Sequence, residues 1–98
     1  MPSPKTPTLT DKQVERIARA LAEPRRVEIL RQVGEAKGGA LQCSALHAAH
    51  GVTPATMSHH VKELENAGLI ETEKAGKFML ITLQRPVLKA YMARLGKI

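Results

Sequence analysis

Ser44-Ala-Leu-His-Ala-Ala-His50-Gly51-Val-Thr53-Pro-Ala-Thr-Met-Ser58-His-His-Val-Lys-Glu-Leu64-Glu-Asn-Ala-Gly68 is the stretch on which the fold turns. Two helix patterns sit in it, separated by a very short break. Ser44 is an N-cap residue type, which predicts a helix over Ala45–His50 closed by Gly51. Thr53 is a second cap, Pro54 suits the first helical position, and Gly68 stands just past the end of the following apolar pattern. A tight turn at His50-Gly51-Val52 between two helices is a helix-turn-helix signature. Each signal is weak alone, and their spacing makes the set specific.

Working outward, the periodicity changes after Gly68 from helical to alternating. Leu69–Lys74 and Lys77–Leu83 are expected as strands, with Ala75-Gly76 as a tight turn between them. A hairpin directly behind a helix-turn-helix is a wing. Pro86 then opens a final helix in which Leu88, Tyr91, Met92 and Leu95 recur at i, i+3, i+4 and i+7. On the other side, Thr10 and Gln13 form a capping-box pair, and Leu9 is placed to staple onto Val14. Val14, Ile17, Ala18 and Leu21 make one apolar stripe. A second helix begins at Pro24 and is expected to bury Val27, Leu30 and Val33 before ending at Gly34. Ala40–Gln42 reads as one short strand. Pro2, Pro4 and Pro7 among Ser and Thr read as a disordered arm over residues 1–8, leaving 9–98 as a single domain. The expected class is mainly α with a small β-hairpin (α+β), a winged helix-turn-helix of about five helices and a two-stranded wing.

Composition narrows the function. The chain has 98 residues, with 15 Lys plus Arg against 9 Asp plus Glu, a formal charge of +6. That balance favours an anionic partner. Residues 1–50 hold eight basic and five acidic groups and residues 51–98 seven and four, so the excess comes from a folded face and not a tail. Phe78 and Tyr91 are the only aromatic residues besides the histidines. Single-strand and RNA platforms stack bases on aromatic rings, so double-stranded DNA is the expected partner. No apolar run is long enough to span a bilayer, so no membrane partner is expected. The lone Cys43 cannot form an internal disulfide, and a cytoplasmic location is the plainer expectation.

The helix over 53–67 sorts into two faces at 100° per residue. Met57, Val61 and Leu64 share an arc that must face a core. Ala55, Ser58, His59, Lys62 and Asn66 share the opposite arc, small at its N-terminal end and polar throughout. Ser58 and His59 offer groups to base edges, Ala55 or the Thr56 methyl can meet a thymine methyl, and Lys62 can reach phosphate. Backbone donors near Thr53, at the helix N-terminus, suit phosphate as well. The plain alternative for this face is solvation. His60 falls on the flank of the buried arc and is expected to pack.

The segments Leu21-Ala-Glu-Pro-Arg-Arg-Val-Glu-Ile-Leu30 and Val52-Thr-Pro-Ala-Thr-Met-Ser-His-His-Val-Lys-Glu-Leu-Glu-Asn-Ala-Gly-Leu-Ile70 resemble the ArsR/SmtB family, dimeric winged-helix repressors of bacteria and archaea. The resemblance spans roughly residues 10–95. It implies that residues 54–62, Pro54 included, read bases, and that the wing around Lys74 and Lys77 lies on backbone or minor groove. Arg26 matches a family arginine for which a structural role and a phosphate contact are both open. The resemblance also implies a dimer built on the first and last helices, here Leu9, Val14, Ile17, Leu21, Leu88, Tyr91, Met92 and Leu95. Two copies of helix 53–67 would then meet an inverted-repeat operator.

Family members often sense metals through paired cysteines near the third helix or through Asp, His and Glu on the last helix. Residues 41–46 carry only Cys43, and residues 86–98 carry no Asp, His or Glu. Cys43, His47 and His50 are close in sequence, but three loosely spaced ligands do not specify zinc, so no metal site and no cofactor are expected. No phosphate-cradling loop or nucleophile motif is present, so the chain is not expected to be an enzyme. The expected function is that of a sequence-specific, dimeric transcriptional repressor whose effector the sequence does not name. The alternative is a winged-helix interaction module with only nonspecific affinity for DNA.

Overall fold

A computed structural model of the protein describes residues 8–98, so the arm read into residues 1–8 lies outside it except for the exposed Thr8. The element order is α1 (Asp11–Leu21), α2 (Pro24–Glu35), a single 3-10 turn, β1 (Ala40–Gln42), α3 (Cys43–His50), α4 (Pro54–Asn66), β2 (Ile70–Ala75), β3 (Phe78–Leu83) and α5 (Arg85–Leu95). The three strands form one antiparallel sheet in the order β1-β3-β2. Five helices and a hairpin wing make this the expected winged helix-turn-helix, with β1 adding a third strand beside the wing.

Local chemistry explains most boundaries. Thr10 accepts the Gln13 N–H while the Gln13 side chain accepts the Thr10 N–H, so the capping box of α1 is closed on both sides. Thr53 Oγ1 accepts the Thr56 N–H at 3.2 Å and starts α4. The end of α4 is a Schellman motif, with Leu69 N–H on Leu64 C=O and Gly68 N–H on Glu65 C=O. That motif needs a left-handed residue, and Gly68 has φ +80°.

Several expectations need correction. Helix α3 starts at Cys43 with Gln42 at its N-cap, and Ser44 lies inside the first turn. Pairing of Ala40–Gln42 to β3 carries the chain directly into the helix and leaves Ser44 no capping role. The hairpin turn is Gly76-Lys77, not Ala75-Gly76, because Ala75 pairs with Phe78. Gly76 (φ +64°) takes the position where a two-residue hairpin loop needs a positive φ. Helix α2 runs through Gly34 to Glu35. It buries Ile29, Leu30 and Val33, whereas Val27 stays 48% exposed. Ala20 rather than Ala18 completes the buried side of α1.

The core lies between the sheet and helices α1 to α4. Ile17, Ile29, Leu46, Met57, Leu64, Leu69, Ile70 and Ile81 are its large, fully buried side chains. Every helix from α1 to α4 places at least one residue in it, so packing of the core also fixes the attitude of α4. Arg94 ties α5 to the start of α1, donating to Leu9 C=O at 2.9 Å and to Asp11 Oδ1 at 2.5 Å. Among the described residues no helix is long and apolar enough to cross a membrane.

Candidate nucleic-acid interface

Helix α4 divides as its sequence dictates. Met57, Val61 and Leu64 are buried, and Ala55, Ser58, His59, Lys62 and Asn66 are all exposed. Thr53, Pro54 and Thr56 are exposed at its N-terminal end. The Thr53 hydroxyl donates to Thr56 Oγ1 at 2.9 Å, which fixes the first turn. Between Thr53 and Lys62 the residues read as contacts are therefore all exposed, and they run from small side chains to an imidazole and an ammonium.

Lys74 and Lys77 sit apart from that surface, at the tip of the wing and both exposed. Lys74 pairs across the hairpin with Met79, and Lys77 occupies the turn. Glu71 and Glu73 lie on the face of β2 opposite Lys74, so the hairpin is not uniformly basic. Thr72 Oγ1 donates to Glu65 Oε2 at 2.7 Å and links the wing to the outer end of α4. Ion pairing elsewhere is selective. Arg19 engages Glu15, Arg31 engages both Glu28 and Glu35, and Arg94 engages Asp11. Among the described residues, Lys62, Lys74 and Lys77 make no ion pair.

His60 packs as expected, 8% exposed beneath the outer face of α4. Its Nδ1 accepts the Nε–H of Arg26 at 3.2 Å, and Arg26 Nη1 also donates toward Ala20 C=O at 3.4 Å. Burial, and then the neighbouring Arg26 charge, push its pKa below the ordinary imidazole value. Two of the Arg26 donors, Nε–H and one on Nη1, are thus engaged inside the fold, which gives this arginine a structural contact. His50 is held in the same manner. Arg25 Nη1 lies 3.0 Å from His50 Nδ1, and His50 Nε2 lies 2.5 Å from Gln32 Oε1. Nothing in the spacing of Arg25, Gln32, Glu65, Thr72 or Arg94 announced these contacts, because each partner comes from another element.

The other expected sites fare unevenly. Leu9 (7%) and Ile17 (0%) are buried within this chain and have no surface to offer a partner, which corrects their assignment to a dimer face. Their burial follows from α1 lying against the core of its own protomer. Val14, Leu21, Leu88 and Tyr91 are half-buried, and Met92 (60%) and Leu95 (47%) are exposed. Leu21 and Leu88 join Val27, Leu30 and Leu83 around an apolar recess of about 510 Å³, which accounts for the outward Val27. Cys43 is half-buried, and burial pushes its thiol pKa up, opposite to what a reactive thiolate requires. Among the described residues no three His, Cys, Asp or Glu side chains stand close enough together to hold a metal ion.

A family model described as "Helix-turn-helix domain" matches residues 21–73, more than half of the chain. Among curated proteins, no sequence matches. Solved structures share the whole fold. An ArsR family transcriptional regulator superposes with TM-score 0.80 at 24% identity, covering 93% of this chain and 91% of its own. A homodimeric winged helix-turn-helix DNA-binding domain from Mycobacterium bovis, a possible ArsR-family regulator, gives TM-score 0.70 at 22% identity, covering 93% and 89%. The transcriptional repressor BigR from Xylella fastidiosa gives 0.66 at 22% identity, covering 84% and 79%.

Proposed function

The chain belongs to the helix-turn-helix domain family, and from that premise we propose that it is a sequence-specific, dimeric DNA-binding transcriptional regulator that represses by occluding a promoter. The observation that carries this reading is the exposed arc of α4 that holds Ala55, Ser58, His59 and Lys62, backed by the buried Met57, Val61 and Leu64 on the opposite arc. A helix with this division fits a major groove, where Ser58 and His59 meet base edges and Ala55 or Thr56 meets a thymine methyl. Lys62 and the wing lysines Lys74 and Lys77 supply phosphate contacts, which give affinity without sequence information. The homodimeric solution structure and the repressor among the similar folds support the assembly and the direction of regulation.

For the dimer we assign Val14, Leu21, Leu88, Tyr91, Met92 and Leu95, with Val27 in place of the buried Leu9 and Ile17. A two-fold dimer would set two α4 helices about 34–36 Å apart, one turn of B-DNA. The deciding experiment is selection of duplexes from a random pool by the purified protein. Enrichment of an inverted repeat with half-sites one helical turn apart is the expected result. Binding that fades with salt and enriches nothing would remove the base-reading assignment. The exposed Met92 and Leu95 would then favour the second reading, a module that docks a protein partner through its terminal helices.

A further inference from the structure

Two adjacent arginines begin α2, at its second and third positions, and no acidic residue shares that first turn. Cations are disfavoured at a helix N-terminus, where the backbone already presents partial positive charge. Their contacts supply a reason for their place. Arg25 reaches the imidazole of His50, the last residue of α3, and donates toward its carbonyl at 3.4 Å. Arg26 reaches the imidazole of His60 in the middle of α4. One turn of α2 thus holds both helices of the helix-turn-helix, one through each arginine.

We propose that Arg25 and Arg26 are positioning residues that set α3 and α4 in register for DNA, and that they do so by donating to neutral imidazoles. Guanidinium has donors only, so each contact requires a bare Nδ1 on the histidine. At His50 the tautomer is fixed from both sides, because Nε2 must carry the hydrogen that Gln32 Oε1 accepts. At His60 the titratable and charged groups that bear on the ring are Arg26 and Arg25 of α2, Glu23 at the N-cap of that helix, and His59 of its own helix. A proton on Nδ1 would abolish the acceptor and place a cation against the Arg26 guanidinium. The geometry of this hold stands without any ligand, and its consequence for DNA rests on the reading of α4 given above.

The sign of the pH dependence follows from His60. Its folded pKa lies below the ordinary imidazole value of 6.5. Above that value both folded and unfolded chains carry the ring neutral, and the hold is complete. As pH falls below it, the unfolded or released state takes up a proton that the held state refuses, so the hold weakens.

The test has a limb that needs no DNA. Nitrogen-15 NMR of the imidazoles at about pH 7.5 is expected to show His50 and His60 neutral with hydrogen on Nε2, and hydrogen exchange to show α4 losing protection as pH is lowered to about 5. His60→Asn places a non-titrating oxygen near the Nδ1 position and is expected to keep protection at neutral pH while losing its acid dependence. Either ring protonated or carrying hydrogen on Nδ1 at pH 7.5, or an unchanged acid limb in His60→Asn, overturns the proposal whether or not the protein binds DNA. The second limb uses the duplex enriched by selection and a scrambled duplex. Arg26→Lys keeps the charge but not the planar Nε–H donor. It is expected to lose preference between the two duplexes while keeping affinity for the scrambled one, and full retention of preference overturns the positioning role. Acid-dependent loss of protection without any duplex preference in the wild type would sink the DNA reading and leave the arginine–histidine hold standing.

Discussion

Replacing Lys77 by alanine isolates the wing from the rest of the proposed interface. Lys77 occupies the hairpin turn, is exposed, and has no ion-pair partner among the described residues. Its removal should therefore leave folding stability within about 0.5 kcal/mol of the wild type. If its ammonium neutralises one phosphate per protomer, the slope of log K against log [salt] falls by about 0.9 per contact, or about 1.8 for a two-fold dimer. Over the fourfold change from 50 to 200 mM salt, this is about a twelvefold difference in how strongly salt weakens the two proteins. Fluorescence anisotropy titrations over that range, with the selected duplex and a scrambled one, read the slope directly. The expected result is a shallower slope and an equal loss of affinity on both duplexes at low salt. A slope identical to wild type would refute the wing contact. A loss confined to the selected duplex would make Lys77 a base reader instead.

His59→Ala should behave in the contrary way, relaxing preference at one base pair per half-site and costing about 1–3 kcal/mol there; equal losses on selected and scrambled duplexes would remove His59 from the reading surface. Gly68→Ala adds a Cβ that meets nothing within 4 Å, so any effect is strain from its φ of +80°. Chemical denaturation should show a loss of about 1–2 kcal/mol, and no loss would mean that the Schellman turn can relax. Leu64→Ala, at a fully buried position of α4, should cost about 2–5 kcal/mol. A loss under 1 kcal/mol would mean that α4 is not seated in this core. Met92→Glu, on an exposed face of α5, should shift sedimentation from dimer to monomer while each protomer keeps its fold, and an unchanged dimer would move the interface elsewhere.

Helix α4 shows why so much of the candidate site was legible. Its start depends on Thr53 and Pro54, its end on Gly68, and its two faces on a period of 3.6, all of which lie within a few residues of one another. Burial of Met57, Val61 and Leu64 and exposure of the opposite arc then follow with no knowledge of what α4 packs against. The wing was legible as alternation but not in register. A shift of the turn from Ala75-Gly76 to Gly76-Lys77 depends on which residues pair across β2 and β3, a choice made jointly with β1.

Apolar stripes were less decisive. Leu9 and Ile17 look much like Leu88 and Met92 in sequence, since periodicity marks a side chain as apolar without naming the surface that covers it. The arrangement of α1 on its own core takes the first pair inward and leaves α5 with surface to share. In the same way Val27 belongs to the helical pattern of α2, yet it borders a recess that exists only because β3 and α5 arrive beside it.

The sequence by itself determined the order and type of the elements, the caps of α1 and α4 and the polar face of α4, because backbone preference, capping and amphipathic period are interactions between near neighbours. Only the tertiary structure decided that Arg26 bonds His60 and Arg25 bonds His50, that Thr72 bonds Glu65 across the foot of the wing, and that Leu9 and Ile17 face inward. Those pairs are specified by where whole elements come to rest, and a hydrogen bond between residues 34 positions apart leaves no periodic trace in the chain.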